Sequence, residues 1–156
     1  MSFQEDLAGE RVESLPLRDA IAIDKHTILR AAIAMMRTHN LGCAVIVDSV
    51  CRPTGIFTEQ SVIGMLVGDA SIDAQPVSAF ADPHFFVVKL TDPISDVWDA
   101  VVHQAARFVC VTDEEGQLVG LTGQRGLAEY VCDCFANQIA VQRLGSTPWM
   151  LEREGA

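Results

Sequence analysis

The side chains with the widest chemical reach in this chain are its five cysteines, its four histidines and a few arginines. Cys132-Asp133-Cys134 has the sharpest metal or redox spacing. It falls in a stretch of helical period, where residues two apart point about 200° away from each other. The two thiols cannot grip one ion while that helix is intact. A structural zinc site also needs further Cys or His at recognised spacing, and neither His103 nor Cys110 supplies it. No metal site is expected. His26, His39, His84 and His103 fall in separate elements, with no paired carboxylate motif or nucleophile elbow around them. Walker and dinucleotide glycine fingerprints are missing as well. The chain is not expected to be an enzyme.

Recognition chemistry is what remains. Thr58 opens a helical stretch. Its hydroxyl can accept from an N–H two or three residues on, and the same helix start suits an anion or a sugar hydroxyl. Gly123-Gln124-Arg125-Gly126 sets a cation between two flexible residues at a second helix start. Arg125 there either holds a phosphate or carboxylate or faces solvent at a bent helix entrance, the favoured arrangement. Arg107 precedes an aliphatic strand and suits a phosphate, an acidic partner or an ion pair with Asp113 or Asp99. Phe108 beside it either stacks on a base or joins the core. Arg37 and His39 end a helix, where cations suit the dipole. Asp113-Glu114-Glu115 is a solvated turn before it is a magnesium site.

The elements that must carry these groups occur twice. Ala44 to Val62 (A-V-I-V-D-S-V-C-R-P-T-G-I-F-T-E-Q-S-V) is echoed by Val109 to Leu127 (V-C-V-T-D-E-E-G-Q-L-V-G-L-T-G-Q-R-G-L) at a constant offset of 65. Each copy reads strand, acidic turn, strand, helix. An internal repeat of this length dictates architecture. Upstream, residues 20–23 form a strand. Ile28, Ala31, Ala32, Met35 and Met36 recur at helical spacing, so a helix is expected over 27–39, with Asp24 and Thr27 as caps. Ile94, Val97, Trp98, Val101 and Val102 match that stripe at an offset of 66, which implies a one-residue slip at the helix–strand junction. A strand over 85–88 begins the second copy, and its last helix runs from about 124 to 141. The expected division is an N-terminal arm (1–14, flexible or docking), a first repeat (15–70), a second (76–137) and a tail (138–156) carrying Trp149 as an apolar anchor. Each βαββα copy is too small to cover its own sheet, so two must pack together in a mixed α/β (α+β) fold with two related clefts between them.

The duplicated run D-x-x-x-x-x-x-G-h-h-T/S-x-x-D resembles the tandem CBS-domain family, or Bateman modules, across about residues 15–135. Asp48, Gly55, Ile56, Phe57 and Thr58 carry it in copy one; Asp113, Gly120, Leu121 and Thr122 carry it in copy two. The Met35-Met36 pair also fits. The resemblance implies a dimeric regulatory module whose clefts take AMP, ADP, ATP or S-adenosylmethionine. Carried onto this chain, the base would lie among strand residues such as Ile21, Ala22 and Cys43 with Phe108 to stack on it, the ribose by Thr58 and Ser61, and the phosphates by Arg107 and Arg125. The chain departs from the pattern in both copies. Ser61 stands where the ribose aspartate belongs. Gly123 and Gly126 replace both the hydroxyl and the carboxylate of copy two. Losing such a charge-assisted bond costs on the order of 1.5–3 kcal/mol, so copy one is a weakened candidate and copy two a poor one.

A net charge of −10, with both halves acidic, argues against nucleic acid or an anionic membrane as partner. The hydrophobic content of 49% suggests apolar surface buried against a second copy. The N-terminus lacks the basic and apolar regions of a secretory signal, no apolar run is long enough to span a bilayer, and the odd cysteine count suits a reduced, cytoplasmic protein. Two functions are therefore expected in order of preference. One is a sensor of an adenine-containing ligand that signals through a homodimer to an effector protein. The other is a dimerisation scaffold that has lost ligand binding.

Overall fold

The computed structural model describes the backbone of residues 3–145 and the side chains of residue 5 and residues 7–136. The elements in chain order are α1 (Phe3–Gly9), β1 (Ala22–Ile23), α2 (Leu29–Thr38), β2 (Cys43–Val47), β3 (Pro53–Thr58), α3 (Glu59–Val67), β4 (Phe86–Lys89), α4 (Ile94–Trp98), β5 (Phe108–Thr112), β6 (Leu118–Gly123) and α5 (Gln124–Gly145). They form two three-stranded sheets of one topology. β1 runs parallel to β2, which is antiparallel to β3; β4 runs parallel to β5, which is antiparallel to β6. The match extends to irregularities: the register shifts between Ile46 and Val47 in one sheet and between Val111 and Thr112 in the other. These positions are 65 residues apart, as the sequence repeat requires.

The central strands β2 and β5 are buried on both faces, and so read as aliphatic runs. One face of each sheet packs on its own helices: Leu29, Ala32, Met36, Phe57 and Met65 in the first repeat, Ile94, Val97, Val101, Val109 and Leu127 in the second. The other faces meet each other through Cys43, Val45, Ile56, Cys110 and Leu121. Ile56 and Leu121 occupy matching environments. Each pairs within its sheet, with Val45 and Cys110 respectively, and each exchanges backbone hydrogen bonds with a lead-in segment, Ile56 with Asp82 and Leu121 with Arg18.

Three expectations change. The offset is 65 in the helices too. Leu29, not Ile28, is the buried counterpart of Ile94, and Ala32 that of Val97; Ile28 is 39% exposed. An amphipathic stripe is wide enough to fit two registers, and backbone anchors choose between them, Ile28 bridging Pro76 and Pro93 bridging Arg11. Asp24 and Thr27 do not cap α2. Asp24 accepts from His26 N at 2.7 Å, and the first amides of α2 are met by the linker instead, Leu29 N to Gln75 O and Arg30 N to Ile72 O, both 3.0 Å. The helix expected through Val102 is α-helical only to Trp98 and widens into a π-helical turn over Asp99–His103.

The segment before Leu15, which shows no period in the sequence, is docked. Val12–Ser14 is a 3₁₀ turn and the counterpart of the turn Val77–Ala79 in the linker. Leu7 and Val12 are buried in the core of the second repeat, Val77 in that of the first. Glu10 O accepts from Ile94 N at 2.9 Å, as Gln75 O does from Leu29 N. Each repeat is thus completed by the segment that leads into the other. Trp149 and the tail around it lie outside the described residues.

Candidate functional site: two unequal clefts between the repeats

Thr58 ends β3 and caps α3. Ser61 N donates to Thr58 Oγ1 at 3.4 Å, and Thr58 N donates to Ser61 Oγ at 3.2 Å, which makes a reciprocal capping box. Both hydroxyls therefore serve the helix start first. The cap leaves Thr58 on the wall of cleft one, a cavity of about 140 Å³. Ile56 and Gln60 flank it there. His84, Phe85 and Phe86, from the run into β4, form a second wall, and Ala106, Arg107 and Phe108, from the run into β5, a third. Apolar rings face one hydroxyl, one amide, one imidazole and one guanidinium.

Arg107 stands at the mouth. Its Nη2 is 3.7 Å from Glu59 Oε2, on the first residue of α3, and its guanidinium lies 5.6 Å from the Phe108 ring centroid. The partner is thus the other repeat's Glu59, not Asp99 or Asp113. Asp99 faces His103 at 3.7 Å, while Asp113 accepts from Gln117 N at 2.8 Å within its own turn. Chain separation hides the true pairing: Glu59 and Arg107 meet only because the repeats nest.

Cleft two, the counterpart, is about 60 Å³ and is lined by Pro16, Arg18, Leu41, Arg107, Phe108 and the run from Leu121 to Gly126. Its glycines are dictated by close approach. A Cβ on Gly123 would sit 2.4 Å from Arg107 O; one on Gly126 would sit 2.6 Å from Thr122 Oγ1 and 3.0 Å from Pro16 O. The place a ribose-binding carboxylate would need is filled by the N-terminal segment. Arg125 pairs with Glu129 at 2.9 Å, one turn along α5.

Of the residues expected at a site, Thr58, Arg107 and Phe108 come together in cleft one, and Arg107, Phe108 and Arg125 in cleft two. Ile21, Ala22, Cys43 and Ser61 line neither cavity. Ile21 turns into the helical core of the first repeat and Ala22 is exposed. Cys43 is sealed in the contact between the repeats, where burial, then Cys110, pushes its thiol up to about 12. Sequence reasoning missed His84, Phe85 and Phe86, and Pro16 and Arg18. These lead-in segments carry no motif; only the crossed exchange of segments brings them to the clefts.

Two copies of the CBS-domain family model match the chain, at residues 12–68 and 77–133. A curated 17.7 kDa protein of Acidianus ambivalens is 24% identical over 128 residues, covering 82% of this chain and 77% of that one. Among solved structures, the CBS domain protein PAE2072 from Pyrobaculum aerophilum, complexed with AMP, superposes with a TM-score of 0.69 at 22% identity, over 88% of this chain and all of that one. The CBS domain pair of protein MJ0100, in complex with 5'-methylthioadenosine and S-adenosyl-L-methionine, also superposes at 0.69, with 15% identity, covering 80% and 97% of the two chains.

Proposed function

The chain belongs to the CBS-domain family, and on that premise we propose that it is a non-catalytic regulatory module binding an adenine-containing ligand in cleft one. The observation that carries this reading is the wall of cleft one. It joins Phe85, Phe86 and Phe108 for a base with Thr58 for a sugar hydroxyl and Arg107 for a phosphate. Two proteins of the same fold are described with AMP and with S-adenosylmethionine, which places AMP, ADP, ATP and S-adenosylmethionine first among the ligands to try. Signalling requires a second conformation with a different affinity for the ligand, and a homodimer is the natural frame for it. The outer face of α3 supports a dimer: Ile63, Leu66 and Val67 are 57%, 62% and 83% exposed, beside an open groove against α2. Among the described residues no helix is long and apolar enough to cross a membrane, and five unpaired cysteines favour a reducing, cytoplasmic setting.

Thermal shift with AMP, ADP, ATP and S-adenosylmethionine tests the reading. A ligand at a hundredfold its dissociation constant stabilises by about 2.7 kcal/mol, which moves the melting point of a chain this size by several degrees. Thr58→Val should shrink the ligand-induced increment. A flat response across all four ligands sinks the sensor reading. It would leave the scaffold reading, which the loss of the ribose carboxylate at Ser61 and Gly126 favours. Light scattering tests the dimer, and a strict monomer at high concentration contradicts it.

A further inference from the structure

The likeness of the two repeats breaks down on one helix face. Leu7 and Trp98 share the core of the second repeat, where α1, a seven-residue helix, packs on α4. Their counterparts at the offset of 65 are Ile72 and Ile33, which pack against the core of the first repeat. Ile72, however, stands on a linker turn and not on a helix. Leu7 is 1% exposed, whereas Ile72 is only partly buried. A single turn carries less bulk than a helix, so the linker side of α2 is left open.

The opening is a groove of about 430 Å³ lined by Arg30, Ile33, Ala34, Arg37, Thr38 and Ile72. It shares Ile33 and Arg37 with the groove toward α3 but opens on the linker side. Its volume is ample for an indole ring. Both ionisable residues that line it are cations. Arg30 is already held by Asp73 of the linker, Nη2 to Oδ2 at 3.0 Å. The Arg37 side chain has no ion-pair or hydrogen-bond partner among the described residues. An unpaired arginine beside aliphatic surface selects an apolar segment that also carries an acid.

This chain has such a segment. Residues 146–156 read S-T-P-W-M-L-E-R-E-G-A, an apolar run at Trp149-Met150-Leu151 with Glu152 directly after it. They follow α5, which ends at Gly145. When extended, these residues span up to about 36–40 Å. A tether of this kind gives an effective concentration on the order of millimolar, which favours a segment of the same chain over a free partner.

We propose that the groove on the linker side of α2 is the docking site of this chain's own C-terminal segment, with the Trp149-Met150-Leu151 run on Ile33, Ala34 and Ile72 and Glu152 on Arg37. This goes beyond the ligand reading of cleft one and does not rest on it.

The experiment is fluorescence of the full chain carrying Trp98→Phe, which leaves Trp149 as its one tryptophan. Trp149 should emit to the blue of free tryptophan amide and be quenched severalfold less by acrylamide. Arg37→Glu should move the emission to the red and raise the quenching severalfold. Ala34→Glu, at an exposed position that would fill the groove, should do the same. Lys89→Glu, an equal charge reversal on the second repeat, should do neither. Arg37→Glu combined with Glu152→Arg should restore the parental spectrum. If Trp98→Phe does not fold, the difference between the parental and Trp149→Phe spectra carries the same signal. Emission of Trp149 at the position of free tryptophan amide, a shielded Trp149 indifferent to Arg37→Glu and Ala34→Glu, or no rescue by the charge swap would each overturn the proposal. A signal lost on dilution would overturn it too and give the groove to the tail of a second copy.

Discussion

Arg107 and Glu59 close the mouth of cleft one from opposite repeats, Nη2 to Oε2 at 3.7 Å. Glu59 thus neutralises the one cation on that cleft's wall. Glu59→Gln should free it. An exposed pair of this kind is worth about 0.2–1 kcal/mol. The expected result is AMP affinity raised up to about fivefold, with adenosine affinity unchanged. Titration of both ligands at low salt checks it, and an equal gain for adenosine would remove Arg107 from phosphate recognition.

The two carboxylate-less positions should respond in opposite ways to restoration. Ser61 is the third residue of α3 and already carries a side chain in partly open space. An aspartate there suits the helix start and can keep accepting from Thr58 N, so Ser61→Asp should leave the fold at least as stable as the parent, and because Ser61 lines neither cavity any gain in ribonucleotide affinity should stay below about tenfold. Gly126→Asp meets Thr122 Oγ1 and Pro16 O instead. It should destabilise the fold by about 1–3 kcal/mol with no gain in nucleotide binding. Calorimetry and urea unfolding of the two variants give the comparison.

Thiol reactivity should sort the cysteines by burial. Cys51 and Cys132 are exposed and Cys134 partly so. Cys43 and Cys110 lie between the repeats, and burial pushes both thiols up to about 12. The thiolate is the reactive species. At pH 8 an aromatic disulfide reagent should therefore label Cys51 and Cys132 first, Cys134 more slowly, and Cys43 and Cys110 only on unfolding. Rapid labelling of all five in the native protein would contradict the packing of the two repeats.

Leu7→Ala tests the exchange of lead-in segments. Leu7 is 1% exposed, in the core of the second repeat. A cavity there should cost about 2–4 kcal/mol, visible as a lower urea midpoint. A near-neutral effect would show that α1 does not hold the second repeat.

Asp96, in the first turn of α4, has its carboxyl raised above the usual range, by desolvation first and then by Asp92 and Asp99. An acid whose folded value exceeds its unfolded one opposes folding once ionised. Its relative contribution is best at low pH and is lost as pH rises through the folded value. Asp96→Asn should therefore stabilise the fold at neutral pH by less than about 1 kcal/mol for so exposed a group, seen as a higher melting point. The gain should vanish below the ordinary aspartate range. Melting curves across that span read it directly.

The sequence by itself determined the two βαββα units, the strand pairings around Asp48 and Asp113, and the capping role of Thr58. All of these rest on short-range periods and on one repeat offset. Tertiary structure decided whatever depends on segments distant in the chain. Leu29 rather than Ile28 faces the core because Pro76 and Arg11 anchor the helix starts. Glu59 rather than Asp99 or Asp113 faces Arg107 because the repeats nest. The clefts are unequal because the Pro16 carbonyl occupies the side-chain space at Gly126. A repeated motif specifies equivalent backbones, but the space between those backbones is set by the segments that cross it, and these leave no periodic trace.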